Sequence, residues 1–200
     1  MTDRERFIDI YRKNIRREGA DRLLEWLTSP SCDFFAAPAS TRFHGSVRGG
    51  LCAHSLNVYD CLCDYLKNSE TGRSLKGMDG KPFSAESIAI AALLHDLCKV
   101  NFYKVEKRNV KRNNMWEEVD YFSIEDGLPY GHGEKSVYII SKYMVLTRDE
   151  AFAIRYHMGF SVGATEERPV IEQALSSYPL AFALFASDAA ATYFKEGMPE

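Results

Sequence analysis

The chain has 200 residues, of which 46% are hydrophobic and 26% are charged, and its formal net charge is -3. This composition is typical of a globular protein, and the length is enough for one sizeable hydrophobic core. The slightly negative charge excludes nucleic-acid or membrane binding through overall charge, so any anion-binding surface must be local.

The first segment, MTDRERFIDIYRKN, is charged and amphipathic. It lacks the basic stretch followed by an apolar stretch that marks a signal peptide. No apolar run approaches the roughly 18 residues that a membrane-spanning helix needs. The five cysteines include no CxxC pair, which favours reduced thiols over a disulfide framework. We therefore expect a cytoplasmic protein with no membrane partner.

Hydrophobic spacing predicts a mostly helical chain. Two N-terminal helices over residues 3–28 precede an irregular segment, and GGLCAHSLNVYDCLCDYLKN then forms a long helix. Ser84 is a candidate N-cap for the next helix, AESIAIAALLHDL. The remaining helices are expected over Glu134–Val145, Arg148–Met158 and Val170–Ser176, and from Pro179 to Glu196.

The pattern changes between these helices, where FYKVEKRNVK and MWEEVDYFSIE are rich in aromatic and β-branched residues and flank the turn-forming RNN. We predict one β-hairpin near residues 102–123, which is too short to form a core of its own. The predicted fold class is therefore all-α, with one small hairpin insertion. We expect a single domain over residues 1–200, with its core over about 49–196.

Several polar residues occupy helical positions that should face the core. His95 follows Ala91 and Ala92 on one apolar face, and Asp188 follows Leu184 on another. Comparable positions are occupied by His54, His132 and His157. One such histidine is usually a hydrogen-bonded core residue, and one such aspartate could cap a helix or pair with an arginine. Because an unpaired buried carboxylate costs several kcal/mol, the whole set favours a metal site.

A donor set of imidazoles and carboxylates suits one or two divalent transition metal ions, namely Mn, Fe, Co, Ni or Zn, better than Mg or Ca. One geometric difficulty concerns His95 and Asp96, because adjacent residues of a helix point about 100° apart. The two side chains could still bind one ion from different sides, or Asp96 could bridge two ions.

The ordered residues His54, His95, Asp96 and Asp188 resemble the H…HD…D pattern of the HD-domain superfamily of metal-dependent phosphohydrolases. The segment LLHDLCKV is similar to the LLHDIGK signature of that family, with Cys98 where glycine is common. The segment GGLCAHSLNV is similar to the one that contains the first histidine in many members.

The resemblance spans roughly Gly49–Ala191 and implies a helical bundle with the metal site at its centre. His132 and His157 match two histidines that extended HD domains add between the HD dipeptide and the last aspartate. They would complete a second metal site, with Asp96 bridging the two ions. The resemblance assigns the first metal to His54, His95, Asp96 and Asp188.

The same resemblance implies hydrolysis of a phosphate ester by metal-activated hydroxide. Asp96 and Lys99 are the expected catalytic residues, and Lys99 would contact phosphate as in the HDxxK pattern of the family. A lysine at a helix C-terminus can equally be a solvated charge. With one metal, a carboxylate such as Glu134 could act as general base. Arg42 and Arg48 precede the first ligand helix and could bind substrate at the mouth of the site.

A run of basic residues in the predicted hairpin has two interpretations. It is either a solvated hairpin or a lid that meets an anionic substrate. The run comprises Lys104, Lys107, Arg108, Lys111 and Arg112.

The expected partner is a small phosphorylated substrate, and a nucleotide is the favoured candidate. Nucleic acid is not favoured, because no RNA-binding module accompanies the motif and the net charge is negative. Alternative functions are a di-iron oxygenase with the same six ligands, a phosphodiesterase or exoribonuclease-like nuclease, and a non-catalytic nucleotide sensor. The sequence does not indicate an oligomeric state.

Overall fold

The structure is a computed structural model that describes residues 1–41, 45–112, 114–161 and 167–196. It is a helical bundle with one two-stranded antiparallel hairpin, so the predicted fold class is confirmed. The helices of the described residues are α1 (Asp3–Asn14), α2 (Ala20–Thr28), α3 (Gly50–Asn68), α4 (Glu70–Ser74), α5 (Ala85–Leu94), α6 (His132–Ser141), α7 (Arg148–Tyr156), α8 (Arg168–Ser177) and α9 (Pro179–Ala190).

Short irregular turns continue three of these helices. A 3-10 turn at Leu97–Lys99 follows α5, a second at Gly159–Ser161 follows α7, and a π-helical turn at Ala191–Lys195 continues α9. Helix α4 is short, and the Ser69 side chain accepts a hydrogen bond from the backbone N–H of Gly72 at its start. Local capping is therefore enough to form one turn of helix there.

The hairpin consists of β1 (Tyr103–Arg112) and β2 (Met115–Ile124), paired from Tyr103 opposite Ile124 to Arg112 opposite Met115. The basic strand β1 lies beside a strand that contains acidic residues. Lys107 Nζ, for example, is 2.7 Å from Glu118 Oε2. Part of the positive charge of the hairpin is therefore offset within the hairpin itself.

Two clusters of buried side chains form the core. The first joins the N-terminal helices to the bundle, with Phe7, Leu23 and Leu51 among its members. The second lies between α3, α5, α7 and α9 and includes the small residues Ala92 and Ala153. Small side chains let these helices approach closely. The extent of the domain stays a prediction. Among the described residues, no helix combines the length and the apolar character needed to cross a membrane.

Helices α5 and α7 run side by side in the same direction. Near their N-termini, Arg17 forms ion pairs with Glu86 of α5 and with Glu150 of α7. Beyond their C-termini, the rings of His95 and His157 lie 4.8 Å apart between centroids. The partial negative charges of both helix C-termini are therefore directed toward the region of these two histidines.

Candidate functional site

The adjacent residues His95 and Asp96 both reach the same centre because helix α5 ends before them. The last residue of α5 is Leu94, and Asp96 has left the helical conformation, with φ -104° and ψ 20°. As a result, His95 Nε2 and Asp96 Oδ2 lie 3.4 Å apart. The sequence-based helix extended three residues too far, to Leu97, and correcting it removes the geometric difficulty.

Asp96 lies between two pairs of histidines. Its Oδ2 is 3.6 Å from Nε2 of His54 and 3.4 Å from Nε2 of His95. Its Oδ1 is 2.9 Å from Nε2 of His132 and 3.5 Å from Nε2 of His157. One carboxylate group therefore faces all four imidazoles, with one oxygen toward each pair.

Asp188 approaches the same centre from α9, where it continues the buried face formed by Ala181 and Leu184. Its Oδ1 is 3.2 Å from His54 Nε2. Helix α9 packs against both α3 and α7, which places the aspartate between the helices of His54 and His157. The structure thus brings together all six residues that the sequence proposes as metal ligands.

Two glycines allow the close helix contacts that place His132 and His157. A Cβ atom at Gly133 would clash with the backbone of Arg155, so the start of α6 can approach the end of α7 only without a side chain there. Gly159 has φ +52°, and a Cβ atom there would lie 2.6 Å from the ring of Phe185. Both positions therefore require glycine.

The hydrogen bonds of two rings define which nitrogen faces the centre. His95 Nδ1 is 2.8 Å from the carbonyl oxygen of Ala92, and His157 Nδ1 is 2.7 Å from that of Ile154. Because a carbonyl oxygen only accepts, both Nδ1 atoms donate their protons. When these rings are neutral, each Nε2 therefore has a free lone pair that faces the centre.

His54 has a side-chain partner instead. Its Nδ1 is 2.9 Å from Oε1 of Glu196, and the same oxygen accepts a hydrogen bond of 3.1 Å from Asn57 Nδ2. An ionised carboxylate also only accepts, so His54 Nδ1 donates its proton and Nε2 faces Asp188, His95 and Asp96. Three imidazoles thus present the same ring nitrogen to one point.

These contacts fit a cation. His54 Nε2 and His95 Nε2 are 3.3 Å apart, which is unfavourable for two facing lone pairs. Two ligands bound at about 2.1 Å to one ion lie about 3.0 to 3.4 Å from each other, depending on the coordination angle. His157 Nε2 is also buried and has no hydrogen-bond donor among the described residues. Residues from this set form groups that could hold a metal ion.

The protonation states of the centre suit a cation as well. Burial lowers the pKa of His95 and of His132, which favours neutral imidazoles. Burial alone would raise the pKa of Asp96, but the charge of Lys99 and the nearby histidines hold it well below its usual value. Burial also disfavours ionised Asp188, yet its hydrogen bond with His54 lowers its pKa. Metal ligands need these forms, neutral imidazole and ionised carboxylate.

His54 shows how a proton alone can offset the negative charge of the carboxylates in the centre. Burial lowers the pKa of His54, but its hydrogen bonds with Asp188 and Glu196 and the charge of Asp96 outweigh burial and raise the pKa to about 9. A proton on Nε2 would lie between the groups that a metal ion would join. Proton and metal ion are therefore alternative ways to neutralise this cluster.

Cys98 lies beside His132, at the position where the sequence departs from the family signature. Its Sγ is 3.3 Å from His132 Nδ1, and its backbone N–H donates to Ser136 Oγ. Burial raises the pKa of the thiol to about 12, so the S–H group is protonated and can donate to Nδ1. A group of Asp96, Cys98 and His132 could itself hold a metal ion.

Lys99 contacts the centre directly, with Nζ 2.6 Å from Asp96 Oδ2 and a side chain that is 13% exposed. Arg48, in contrast, is exposed and lines a surface cavity beside α1 with Arg4 and Phe35. Its role in substrate binding stays a prediction. Arg42 lies outside the described residues.

The remaining candidate, Glu134, forms an ion pair with Arg155. It lines an outer groove between α6 and α7 together with Tyr138 and Phe152. Its role as general base thus gains no support from its contacts.

Three residues that contact this centre, namely Asn57, Cys98 and Glu196, are not among the ligand candidates that the sequence offers. Asn57 lies one helical turn after His54, so the helical period could have identified it. Cys98 was visible as a departure from the signature. No sequence signal indicated Glu196, because its hydrogen bond spans 142 positions of the chain.

Comparisons with known proteins agree with this geometry. The family model described as HD domain matches residues 52–191. No curated protein and no solved structure gives a significant match. The matched segment contains five helices that bring ligand candidates to the centre, from His54 of α3 to Asp188 of α9. The chain belongs to the HD domain family.

Proposed function

We propose that this protein is a metal-dependent phosphohydrolase that cleaves a phosphate ester of a nucleotide or a similar small substrate. HD domains are generally metal-dependent phosphohydrolases, and the side chains around Asp96 could hold a metal ion. The observation that supports the proposal most directly is the position of Asp96. One of its oxygens faces His54 and His95, and the other faces His132 and His157.

The proposed ligands form two groups that share Asp96. The first consists of His54, His95, Asp96 and Asp188, and the second adds His132 and His157. A bound divalent transition metal ion would lower the pKa of a water nucleophile and polarise a phosphoryl oxygen. The hydrogen bonds of His54, His95 and His157 through Nδ1 keep their Nε2 atoms directed at the centre, which reduces the cost of reorganisation.

We assign the phosphate contact to Lys99. Its ammonium group lies against Asp96 Oδ2, so it is positioned beside the centre rather than solvated at a helix end. Burial disfavours the charged form, but the Asp96 carboxylate outweighs it and raises the pKa of Lys99 above its usual value. A permanently charged ammonium group can bind a phosphoryl oxygen. His132, whose side chain is 27% exposed, marks the side from which substrate would enter.

The charge distribution favours a small substrate over nucleic acid. Strand β1 is basic, but Lys107 pairs with Glu118 of β2, and Lys104 lies 3.9 Å from both Glu106 and Glu125. Continuous nucleic-acid binding depends on a basic surface whose charges are available to phosphates. The described ion pairs offset two basic residues of β1, so we do not assign the hairpin to nucleic acid.

The test is elemental analysis of the purified protein, followed by hydrolysis assays with the metal it contains. Nucleoside monophosphates, simple phosphomonoester model compounds and phosphodiesters serve as substrates, and chelator-treated protein is the matched control. We expect metal-dependent release of phosphate from a monoester. The chelator-treated protein should regain activity when the metal is restored.

The other outcomes separate the alternatives. Cleavage of diesters only would indicate a phosphodiesterase or nuclease. Bound iron with oxygen uptake and no phosphate release would indicate an oxygenase. Nucleotide binding without turnover of any substrate would indicate a sensor. The oxygenase and sensor results contradict the proposed phosphohydrolase, whereas cleavage of diesters alone contradicts only the expected hydrolysis of a phosphomonoester.

A further inference from the structure

Three histidines of the centre donate a hydrogen bond from Nδ1, and they reach their acceptors in two different ways. His95 and His157 follow the last residues of α5 and α7, where carbonyl groups three positions earlier are free to accept. His54 lies in the interior of α3, where backbone carbonyls already accept the hydrogen bonds of the helix. It therefore needs an acceptor from outside its own helix.

Glu196 supplies that acceptor from the turn that continues α9. Its side chain is 9% exposed, and its Oε1 accepts from His54 Nδ1 and also from Asn57 Nδ2, one helical turn further along α3. Two donors on one helix thus fix a single carboxylate oxygen. The same α9 segment places Asp188 Oδ1 3.2 Å from the other ring nitrogen of His54.

We infer that Glu196 is a positioning residue for the metal centre, which holds His54 with Nε2 directed at the ion. A carboxylate on the distal nitrogen of a histidine ligand fixes the tautomer and increases the basicity of the ligating nitrogen. A backbone carbonyl, as at His95 and His157, fixes the tautomer without adding charge. His54 is therefore the candidate ligand whose distal nitrogen faces a carboxylate, and Glu196 controls its donor strength.

This inference rests on the metal-binding part of the proposed function and is independent of the reaction that follows. The experiment measures zinc binding by the full chain, in competition with a chromophoric chelator. Glu196→Ala should weaken the affinity about 10- to 100-fold, as expected for the loss of such a hydrogen bond. Glu196→Gln keeps an acceptor oxygen without the charge, so its loss should be smaller, up to about 10-fold. Glu172→Ala, at an exposed glutamate of α8, is the matched control and should bind zinc with the affinity of the wild-type protein.

A second measurement separates positioning from general stability. In the zinc-loaded protein, the Nδ1 proton of His54 should give a resolved downfield NMR signal. The signal should shift in Glu196→Gln and disappear in Glu196→Ala, while circular dichroism shows an unchanged helix content. If Glu196→Ala does not fold, Glu196→Gln decides the test through its signal and affinity.

The results distinguish this inference from the proposed function. If the original chain binds no zinc, both fail. If the original chain binds zinc and Glu196→Ala binds it equally well, or the His54 signal is the same in Glu196→Gln, only the role of Glu196 is overturned. Equal losses in Glu196→Ala and Glu196→Gln would also overturn it, because an acceptor oxygen would then have no effect.

Discussion

The helix pair α5 and α7 buries charged groups at both ends, but these charges have different kinds of partner at the two ends. At the N-terminal end, the Arg17 guanidinium donates to both oxygens of Glu150, at 2.7 and 2.8 Å, and also to Glu86 and the carbonyl of Val145. At the C-terminal end, imidazole nitrogens and carboxylate oxygens converge around Asp96, which also pairs with Lys99. The first end is satisfied mainly by the chain itself, and the second is arranged for a cation.

The difference shows how buried polar groups can be assigned to structure or to function. Glu150 is fully buried, yet it also completes a capping box with Thr147 at the start of α7. Its contacts explain its burial. His157, at the other end of the same helix, has a buried Nε2 with no donor among the described residues. Arg17 Nε is also buried without a partner among the described residues, but the other two nitrogens of its guanidinium are paired. His157 Nε2 instead lies beside Asp96 in a group that could hold a metal ion, so its position fits a cation.

The largest expected effect comes from removing the shared carboxylate at the C-terminal end. Asp96→Asn keeps the shape of the side chain but removes the charge that faces all four imidazoles, and His95→Ala removes one of those ligands. We expect metal affinity to fall by more than about 100-fold, beyond the loss of an outer hydrogen bond, and hydrolysis to fall to background. Elemental analysis and phosphate release measure these losses, and circular dichroism should show that the helices survive.

The control for this prediction is Asp9→Asn, at an exposed aspartate of α1. It should leave metal content and hydrolysis as they are in the original chain. Metal content equal to that of the original chain in Asp96→Asn or His95→Ala would show that the centre around Asp96 is a structural cluster like the one around Arg17.

The period of apolar positions predicted the helices and the polar residues on their buried faces. The resemblance to the family predicted the bundle and the convergence of those residues on one centre. It could not predict how His95 and Asp96 point to one centre. That depends on the end of α5 at Leu94, which no capping residue marks. It also missed Glu196, because a tertiary hydrogen bond between α3 and the end of α9 has no local signature. The candidate ligands were therefore predictable from spacing and from the resemblance to the family, whereas their orientation required the packed structure.

The N-terminal end of the helix pair should respond to mutation in stability rather than in metal binding. Arg17→Met leaves the fully buried Glu150 without its cation, and breaking such a pair costs about 3 to 5 kcal/mol. Urea unfolding of the metal-free protein measures the loss. Zinc stoichiometry below the transition should not change, because Arg17 contacts the opposite end of α5 and α7.

Arg12→Met is the control, since Arg12 is exposed on α1. It should change the free energy of unfolding by less than about 0.5 kcal/mol. If Arg17→Met unfolds with the same free energy as the control, the ion pairs of Arg17 with Glu86 and Glu150 do not stabilise the fold. A reduced zinc stoichiometry would show that the two ends of the helix pair are not independent.

The smallest expected effect is the pH dependence that Glu86 gives to the N-terminal end. Burial raises the pKa of Glu86, but the backbone N–H of Arg16 and the Arg17 guanidinium outweigh it, so the folded-state pKa lies below the usual value of 4.5. The charge of Glu86 therefore stabilises the fold above about pH 4.5, and this contribution is lost as the pH falls through the lowered pKa.

Glu86→Gln keeps an acceptor for the backbone N–H groups but removes the charge. At pH 7 this variant should be less stable by about 1 kcal/mol or less, because Glu86 is partly exposed. Urea unfolding of the metal-free proteins between pH 3 and 7 should show the two stability curves converging toward acid. If the free energies of unfolding of the two proteins differ by the same amount at every pH, the ion pair between Arg17 and the charged Glu86 does not contribute to stability. The stabilising effect of Arg17 would then depend on Glu150 alone.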